Sequence, residues 1–595
     1  MQNVTDHWKA VHRQQLVNET YVEISFDIAD PDALADASAE DNGAIYISNT
    51  EQTVNELNKD IVPYATLEQN LWLLDGSRDF IPDTEYGDNG YIGTVMSGTD
   101  GSFSAIPVVN IVFSEVHEPV IPGITVTWGA AYGEYAEIFK VIAYNGSAVC
   151  AEKRIDRNNS VKSVVELDIE NYDRIRIEII KWCLPHRRPR IAEIFVGINR
   201  IYGKSDITGY EHEQDVNPIS AELPVNRISF SIDNSDNIYD PNNVTGLSKY
   251  LMERQEISVK YGMKLNDGSV EYIPAGQFYL SEWEAPQNGL EATFTARDLL
   301  EFLRKTYIKG LYNPAGVSLY DLAVDVLTEA NLPLHPSGSV MWIIDESLKS
   351  LRTVAPLPLV SLAECLQYIA QAAGCIIYCD RAGVLHIEPI PTNASDYELT
   401  GFNMFSRPEI TLQKPLKAVN TKIYNYFADE NIRELFNGTI SVGGIGEVII
   451  TYSDTAVNVN AVVSGGTLES AVYYSGACVL TITAAGNVGV TISGNVLNSS
   501  GVDYITEAAA NGEIQTVENP LITSASLAAV NGTWVKDWLS KRKIMTMDGW
   551  RADPRLDATD IVSSQNKFGV ESVRMTSVKY TYAGAFKGSG EGRVI

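Results

Sequence analysis

Cysteine is scarce in this chain. Six residues out of 595, Cys150, Cys183, Cys365, Cys375, Cys379 and Cys478, are too few and too irregularly spaced for a disulfide framework, so buried free thiols and synthesis in a reducing cytosol are expected. Positive charge is also short: 45 Lys and Arg stand against 76 Asp and Glu, for a net charge of −31. Such a surface repels a phosphate backbone instead of gripping it by counterion release, which argues against nucleic-acid binding. Long apolar runs are missing too. The richest stretch, residues 472–492, is broken by Ser475, Gly476, Thr481, Thr483, Gly486 and Asn487, and a bilayer span needs roughly 20 apolar residues, so strands are predicted there and no membrane span. The first residues, MQNVTDHWKAVHRQQ, have neither an apolar core nor a small-residue cleavage pattern, so no secretory signal is expected.

Catalytic signatures are lacking as well: there is no GxxxxGK[ST], HExxH or GxSxG, and no CxxC or His-rich cluster. Carboxylates abound, but their spacing does not select a glycosidase pair, so no enzyme and no cofactor are predicted. His7 and His12, five apart on the N-terminal arm, are expected to face solvent. Cys365, Cys375 and Cys379 with nearby His386 lack the turn-tip pairing of zinc ligands and are expected in the core.

What is present is hydrophobic content of 45%, ample for packed cores, in a chain long enough for roughly three to five domains. Residues 21–28 (YVEISFDI) alternate apolar and polar with period two and stop at Asp30-Pro31-Asp32. A similar strand at 227–234 (RISFSIDN) is its expected partner, which makes residues 64–200 an insertion between them. That block carries short strands at 124–128, 138–144, 174–180 and 191–198 with turn signals between, the pattern of a β-sandwich. Helical spacing appears between about 296 and 375, including the apolar series Leu319, Leu322, Ala323, Val326, Leu327 and a capping box at Ser361-Leu362-Ala363-Glu364 that runs to Gly374. A hairpin turning at 380–383 follows, giving a small α+β unit over 301–400. Strands resume at Leu416, residues 431–515 are rich in Gly, Ala, Val, Ser and Thr, and a helix is expected around 526–542.

Three places attract a functional reading. The loop 182–190 (WCLPHRRPR) is the basic cluster of an acidic chain. Trp182, His186, Arg187 and Arg188, with Trp128, Tyr132 and Tyr135, could hold a sugar or acidic polymer; equally, the arginines could pair with Glu178 and Glu193 while Trp182 packs in the core. The loop Asp233 to Asn243 offers oxygen ligands of the kind calcium takes, yet lacks the Gly and terminal Glu of an EF-hand, so Asx turns are the expected role. The C-terminal GAFKGSGEGRVI carries Gly584, Gly588, Gly590 and Gly592, a tail expected to need a partner to become ordered. Its Phe586, Lys587, Gly588, Gly590 and Arg593 are candidate assembly residues.

The strings WRADPRLDATDIV and FGVESVRMTSVKYTYAGAFKGSGEGRV, with GCIIYCDRAGVLHIEPI and ENPLIT upstream, resemble tail-hub or tail-tip (baseplate) proteins of phages that infect Gram-positive or gut bacteria. The block ITVTWG, FKVIAYNG, YDRIRIEI and RIAEIFVGI resembles discoidin or galactose-binding-like jelly rolls. The resemblance implies a mainly β, multidomain chain: a first barrel-like hub domain from 1–63 plus 201–300, the jelly roll at 64–200, an α+β unit at 301–400, a second barrel-like hub domain from 401–430 plus 516–595, and a small β insertion at 431–515. It further implies a homotrimer in the virion tail tip, assembled in the bacterial cytoplasm, with distal tail, tape-measure and fibre proteins as partners and a host surface polysaccharide as a target for the jelly roll. A receptor-binding or fibre-adaptor protein is the alternative, with a cell-wall glycan hydrolase ranked behind it.

Overall fold

The computed structural model describes residues 1–54, 68, 89–286, 289–333, 340–392 and 394–595. Strands dominate and helices are few, so the fold is mainly β and multidomain, as predicted. In the first strand, Thr20–Ala29, Val22, Ile24, Phe26 and Ile28 turn into the core while alternate positions stay half exposed. Asp30 stops it by capping the short helix Pro31–Asp36: its carboxylate accepts the N–H groups of Asp32 and Ala33.

Thirteen strands join in one large sheet. From edge to edge the order is Gly197–Tyr202, Thr20–Ala29, Glu256–Lys264, Val270–Glu284, Glu291–Arg297, Val225–Asp233, Ile207–Asp215, Val570–Tyr582, Phe586–Val594, Lys543–Arg551 and Glu409–Leu412. Ile561–Gln565 branches from Val570–Tyr582 and pairs in parallel with Ala394–Leu399. Two expectations are corrected here. The strand at 227–234 lies between Ile207–Asp215 and Glu291–Arg297, whereas Thr20–Ala29 is flanked by Gly197–Tyr202 and Glu256–Lys264. Matching alternation identifies the buried face and not the neighbouring strand. Nor do two barrels form: among the described residues the sheet is open, and its early and late parts meet edge to edge, Tyr210 opposite Tyr582 and Asp215 opposite Ser577. One continuous core, running from Trp8 and Phe26 to Tyr580 and Phe586, serves both parts.

The excursion after the first strand leaves and re-enters the sheet at adjoining points, because Ala29 pairs directly with Gly197. A Cβ at Gly197 would sit 2.6 Å from that of Ala29 and 2.7 Å from the Ile28 carbonyl, so only glycine fits the crossing. The start expected near residue 64 lies outside the described residues. Ser38–Asp41 already pairs with Val108–His117. That pair belongs to a five-stranded sheet continued by Tyr172–Trp182, Ala136–Asn145 and Ala148–Ile155. A three-stranded sheet, Glu193–Phe195, Ile121–Thr127 and Lys162–Ile169, shares its core of Ile111, Phe113, Val126, Phe139 and Ile177, which makes the sandwich.

Helices Leu319–Ala330 and Leu362–Ala373 form where the spacing predicts them. Ser318 caps the first; Ser361 and Glu364 make the capping box of the second, which Gly374 ends at φ +68°. The predicted hairpin is Ile376–Cys379 with Leu385–Glu388, and the parallel strand Trp342–Ile344 beside it was not foreseen. The helix Ala525–Leu539 packs into this same unit: Leu527 and Ala528 share its core, and Asn531 Nδ2 donates to the Gln371 carbonyl at 2.8 Å. Leu416–Thr451, a strand of 36 residues, pairs with Ala477–Glu507 and not with the C-terminal strands, so one long antiparallel ladder runs across residue 430.

Candidate functional site

The basic loop is fastened from within by a carboxylate that the sequence did not flag. Glu134, 2% exposed, accepts from Trp182 Nε1 at 2.8 Å and from Arg187 Nε at 3.0 Å, and lies 3.9 Å from the Arg190 guanidinium. Arg190 also forms an ion pair with Glu68 and stacks 4.3 Å from the centre of the Tyr132 ring. Glu68 accepts the Arg188 backbone N–H at 2.6 Å, and the Arg188 guanidinium donates to the Gly93 and Thr94 carbonyls. His186 takes φ +56° and gives its backbone N–H to the Ser97 carbonyl. Trp128 and Trp182 are both 0% exposed and meet edge to face at 6.1 Å; the Trp128 N–H donates to Ser163 Oγ. Neither indole offers a face for a sugar. The arginines do pair with carboxylates, but with Glu134 and Glu68 in place of Glu178 and Glu193. Spacing carries no signal for either, because both partners come from distant loops.

In the Asp233 to Asn243 loop the side-chain oxygens serve their own backbone. Asp233 accepts from the N–H of Ser235, Asn234 from Tyr239, Asp236 from Ile238 and Asp240 from Asn242. Cys365 and Cys375 are buried, and burial raises both thiols to about 12. Among the described residues no cluster of His, Cys, Asp and Glu is arranged to hold a metal, and no helix is long and apolar enough to cross a membrane.

The glycine-rich end is not a loose tail. Phe586–Val594 is an interior strand of the large sheet, paired on both sides with Val570–Tyr582 and Lys543–Arg551. Its glycines permit close approach: a Cβ at Gly588 would lie 2.5 Å from Trp550 Cε2, and one at Gly590 would lie 2.3 Å from the Ser577 carbonyl oxygen. Phe586 is buried, and the Arg593 guanidinium donates to the Trp538 and Lys541 carbonyls. Of the candidate assembly residues only Lys587 is exposed. The physical reason is that strand neighbours supply the order which glycine alone does not.

The RADPRL turn, residues 551–556, ties the chain together. The Arg551 guanidinium donates to the His12, Gln14 and Gln15 carbonyls; Asp553 accepts from Arg555 Nε at 2.7 Å and from Trp8 Nε1 at 3.4 Å; Tyr580 Oη donates to the Leu556 carbonyl at 2.7 Å. Just beyond it, Arg381 Nε donates to Asp557 Oδ1 at 2.7 Å. Burial pushes the Asp557 carboxyl up, yet the Arg381 charge, the N-terminal ammonium and the hydrogen bonds from Arg381 and Gln214 together outweigh it and hold the group below its ordinary range. Nearby His212 is fully buried between Tyr261 Oη and Asn226 Oδ1, and burial pushes it down to about 4. A cavity of about 210 Å³ opens here, lined in part by Gln214, Asp298, Arg381 and Asp557. Asp298 caps the Leu300 N–H there, and burial raises its carboxyl to about 6.

At the far edge of the sheet, all four residues of Glu409–Leu412 are exposed, including Ile410 and Leu412. Phe402 and Phe405 precede them and are exposed as well. Phe568, 92% exposed, and Val570 sit on the hairpin that Gln565 fastens to the Gly401 N–H at 3.1 Å. An apolar edge strand with a neighbour on one side only is a ready surface for another chain.

No family model and no curated protein matches this chain. Solved structures similar to it include a tail protein from Neisseria meningitidis MC58, at 8% identity and a TM-score of 0.38 over 67% of this chain and 94% of that one. The 43 kDa tail protein of prophage MuSo2 from Shewanella oneidensis gives 13% identity and a TM-score of 0.36 over 66% and 95%. Prophage tail protein gp18 from Listeria monocytogenes EGD-e gives 8% identity and a TM-score of 0.37 over 67% and 91%.

Proposed function

We propose that this chain is a structural component of a phage tail tip or baseplate hub, assembled as a homotrimer around the DNA exit path and docking distal tail, tape-measure and fibre proteins. One observation carries the proposal: the large sheet ends on an open strand, Glu409–Leu412, flanked by exposed phenylalanines, and such an edge calls for a second chain. The resemblance of the strings around RADPRL and the last two strands to tail-hub proteins supplies the class of assembly. Three copies of a chain with a net charge of −31 would give an acidic wall past which DNA slides without sticking. The role is architectural: the buried His, Asp and Arg groups described above are consumed by contacts within the chain. Trp128 and Trp182, both fully buried, give a host surface polysaccharide no stacking platform on the jelly roll.

Light scattering on the purified protein tests this. A mass three times 65.4 kDa is expected, falling to one chain in Leu412→Lys and Phe405→Ser with unchanged thermal unfolding. A wild-type monomer at every concentration and salt, or hydrolysis of cell-wall polymer by that monomer, would sink the proposal.

A further inference from the structure

Residues 434–535 hold eight carboxylates and no Lys, Arg or His, whereas the run Lys541-Arg542-Lys543 follows closely and leads into the strand Lys543–Arg551. That strand carries the open edge Glu409–Leu412: Leu412 lies opposite Lys543, and the Gln413 N–H donates to the Arg542 carbonyl at 2.9 Å. Lys414 and Lys543 are paired, with Glu513 and Glu571. Arg407, Lys541 and Arg542 have no carboxylate partner among the described residues, and Glu409 is the one carboxylate of the edge strand. Apolar character joins this charge. Ile410 stands opposite the fully buried Met545, so Ile410 and Leu412 carry the core face outward to an edge where they are 42% and 62% exposed.

The complement to this edge lies in the stretch without cations. Leu416–Thr451 pairs with Ala477–Glu507 along one side, but Glu513–Val517 covers its other side only as far as Thr421, so residues 422–451 have no second strand beside them. Ile445, Glu447 and Ile449 share one face of that strand and are exposed. Ile449 and the exposed Val472 both pair with Val479, which makes one apolar row across the face. Glu447 has no ion-pair partner among the described residues. Within one chain neither edge takes the other as a neighbour. Residues 416–428, about 40 Å of strand, separate them. The far end is held against the α+β unit, where the Ser475 N–H donates to the Gly310 carbonyl at 2.8 Å and Ser475 Oγ accepts from the Tyr312 N–H at 2.9 Å. Apolar side chains around cations on one edge and around a carboxylate on the other are complementary patches that do not overlap, as a head-to-tail contact between copies requires.

We infer that residues 445–449 of one copy add as a strand to Glu409–Leu412 of the next, with Glu447 facing Lys541 and Arg542. The inference rests on the trimer proposed above and names the contact that builds it. Carbodiimide coupling, which joins only lysines and carboxylates in direct contact, tests it on wild-type protein assembled from ordinary and isotope-labelled chains together. Mixed-isotope peptides joining Glu447 to Lys541 or Lys543 are expected. Glu447→Lys sets a like charge against the basic run, so in low salt it should raise the concentration for half-assembly about tenfold or more and leave the circular dichroism spectrum unchanged. Adding Lys541→Glu and Arg542→Glu to that variant should restore the wild-type value. Normal assembly of Glu447→Lys, or mixed-isotope couplings that leave out Glu447, overturns this contact while the trimer stands. A wild-type monomer removes both.

Discussion

Replacing Trp182 by alanine separates a core role from a ligand-binding one. The indole is fully buried, meets Trp128 edge to face, and gives its N–H to Glu134 at 2.8 Å. Deleting a buried Trp side chain costs about 3–5 kcal/mol in transfer and cavity terms. For a unit of 150–250 residues each kcal/mol moves the midpoint by about 2–4 °C, so the sandwich should melt roughly 6–20 °C earlier. Trp182→Phe keeps most of the ring and removes the donor, which leaves a carboxylate oxygen of Glu134 short of a partner at a cost of about 1–3 kcal/mol. Glu134→Gln should exceed Trp182→Phe, because it removes the anion facing both Arg187 and Arg190, and breaking a buried pair on one side costs about 3–5 kcal/mol. Calorimetry with near-ultraviolet circular dichroism follows the sandwich transition apart from that of the large sheet. The reasoning is refuted if Trp182→Ala shifts that transition by less than about 1 kcal/mol, since a side chain so tolerant of loss cannot be core.

Deleting residues 588–595 removes an interior strand and exposes both its neighbours, so the truncated chain should lose its β-sheet signal and aggregate; a soluble, fully folded truncation would contradict the pairing described. Gly588→Ala places a methyl 2.5 Å from the buried Trp550 ring and should cost about 1–3 kcal/mol by denaturant titration, with a neutral result excluding that close contact. Asp298 has a folded pKa raised from 3.8 to about 6, so its neutral form is favoured by folding: the contribution is complete below about pH 4 and declines by about 3 kcal/mol as pH rises past 6. Asp298→Asn keeps the helix cap and should flatten that part of the stability profile; parallel wild-type and mutant profiles would remove the cause assigned.

Local structure was legible wherever one face decided it. The alternation in residues 21–28, the capping box at Ser361 and the turn at 380–383 each follow from contacts only a few residues apart, and each is where the sequence places it. Strand adjacency was not legible. Thr20–Ala29 takes neighbours from residues 197–202 and 256–264, and Leu416–Thr451 pairs with residues 26 to 89 positions away, choices made by packing and chain path that leave no local mark. The basic loop failed for a related reason. Arginine beside tryptophan suggested a ligand, while the carboxylates that answer it, Glu134 and Glu68, lie 53 and 122 residues from the arginines they hold. His12 failed in the other sense, since a polar arm gives no hint that Trp8 and Val11 draw one helix face into the core.

Glycine shows how the same composition supports opposite conclusions. Gly588, Gly590 and Gly592 would make an isolated strand too flexible to hold its shape, and that argument is sound for the segment alone. In the sheet those positions face Trp550, the Ser577 carbonyl and the Arg574 carbonyl at distances that no side chain allows. The missing side chains are therefore what lets the strand enter between two others, and the ordering cost is met by ladders on both sides. Assembly then cannot depend on a free C-terminal strand, because its donors and acceptors are already paired within the chain. Open backbone groups lie instead two strands away, on the edge strand Glu409–Leu412, where Ile410 and Leu412 remain exposed. A partner strand would add there without disturbing any pairing the chain has made.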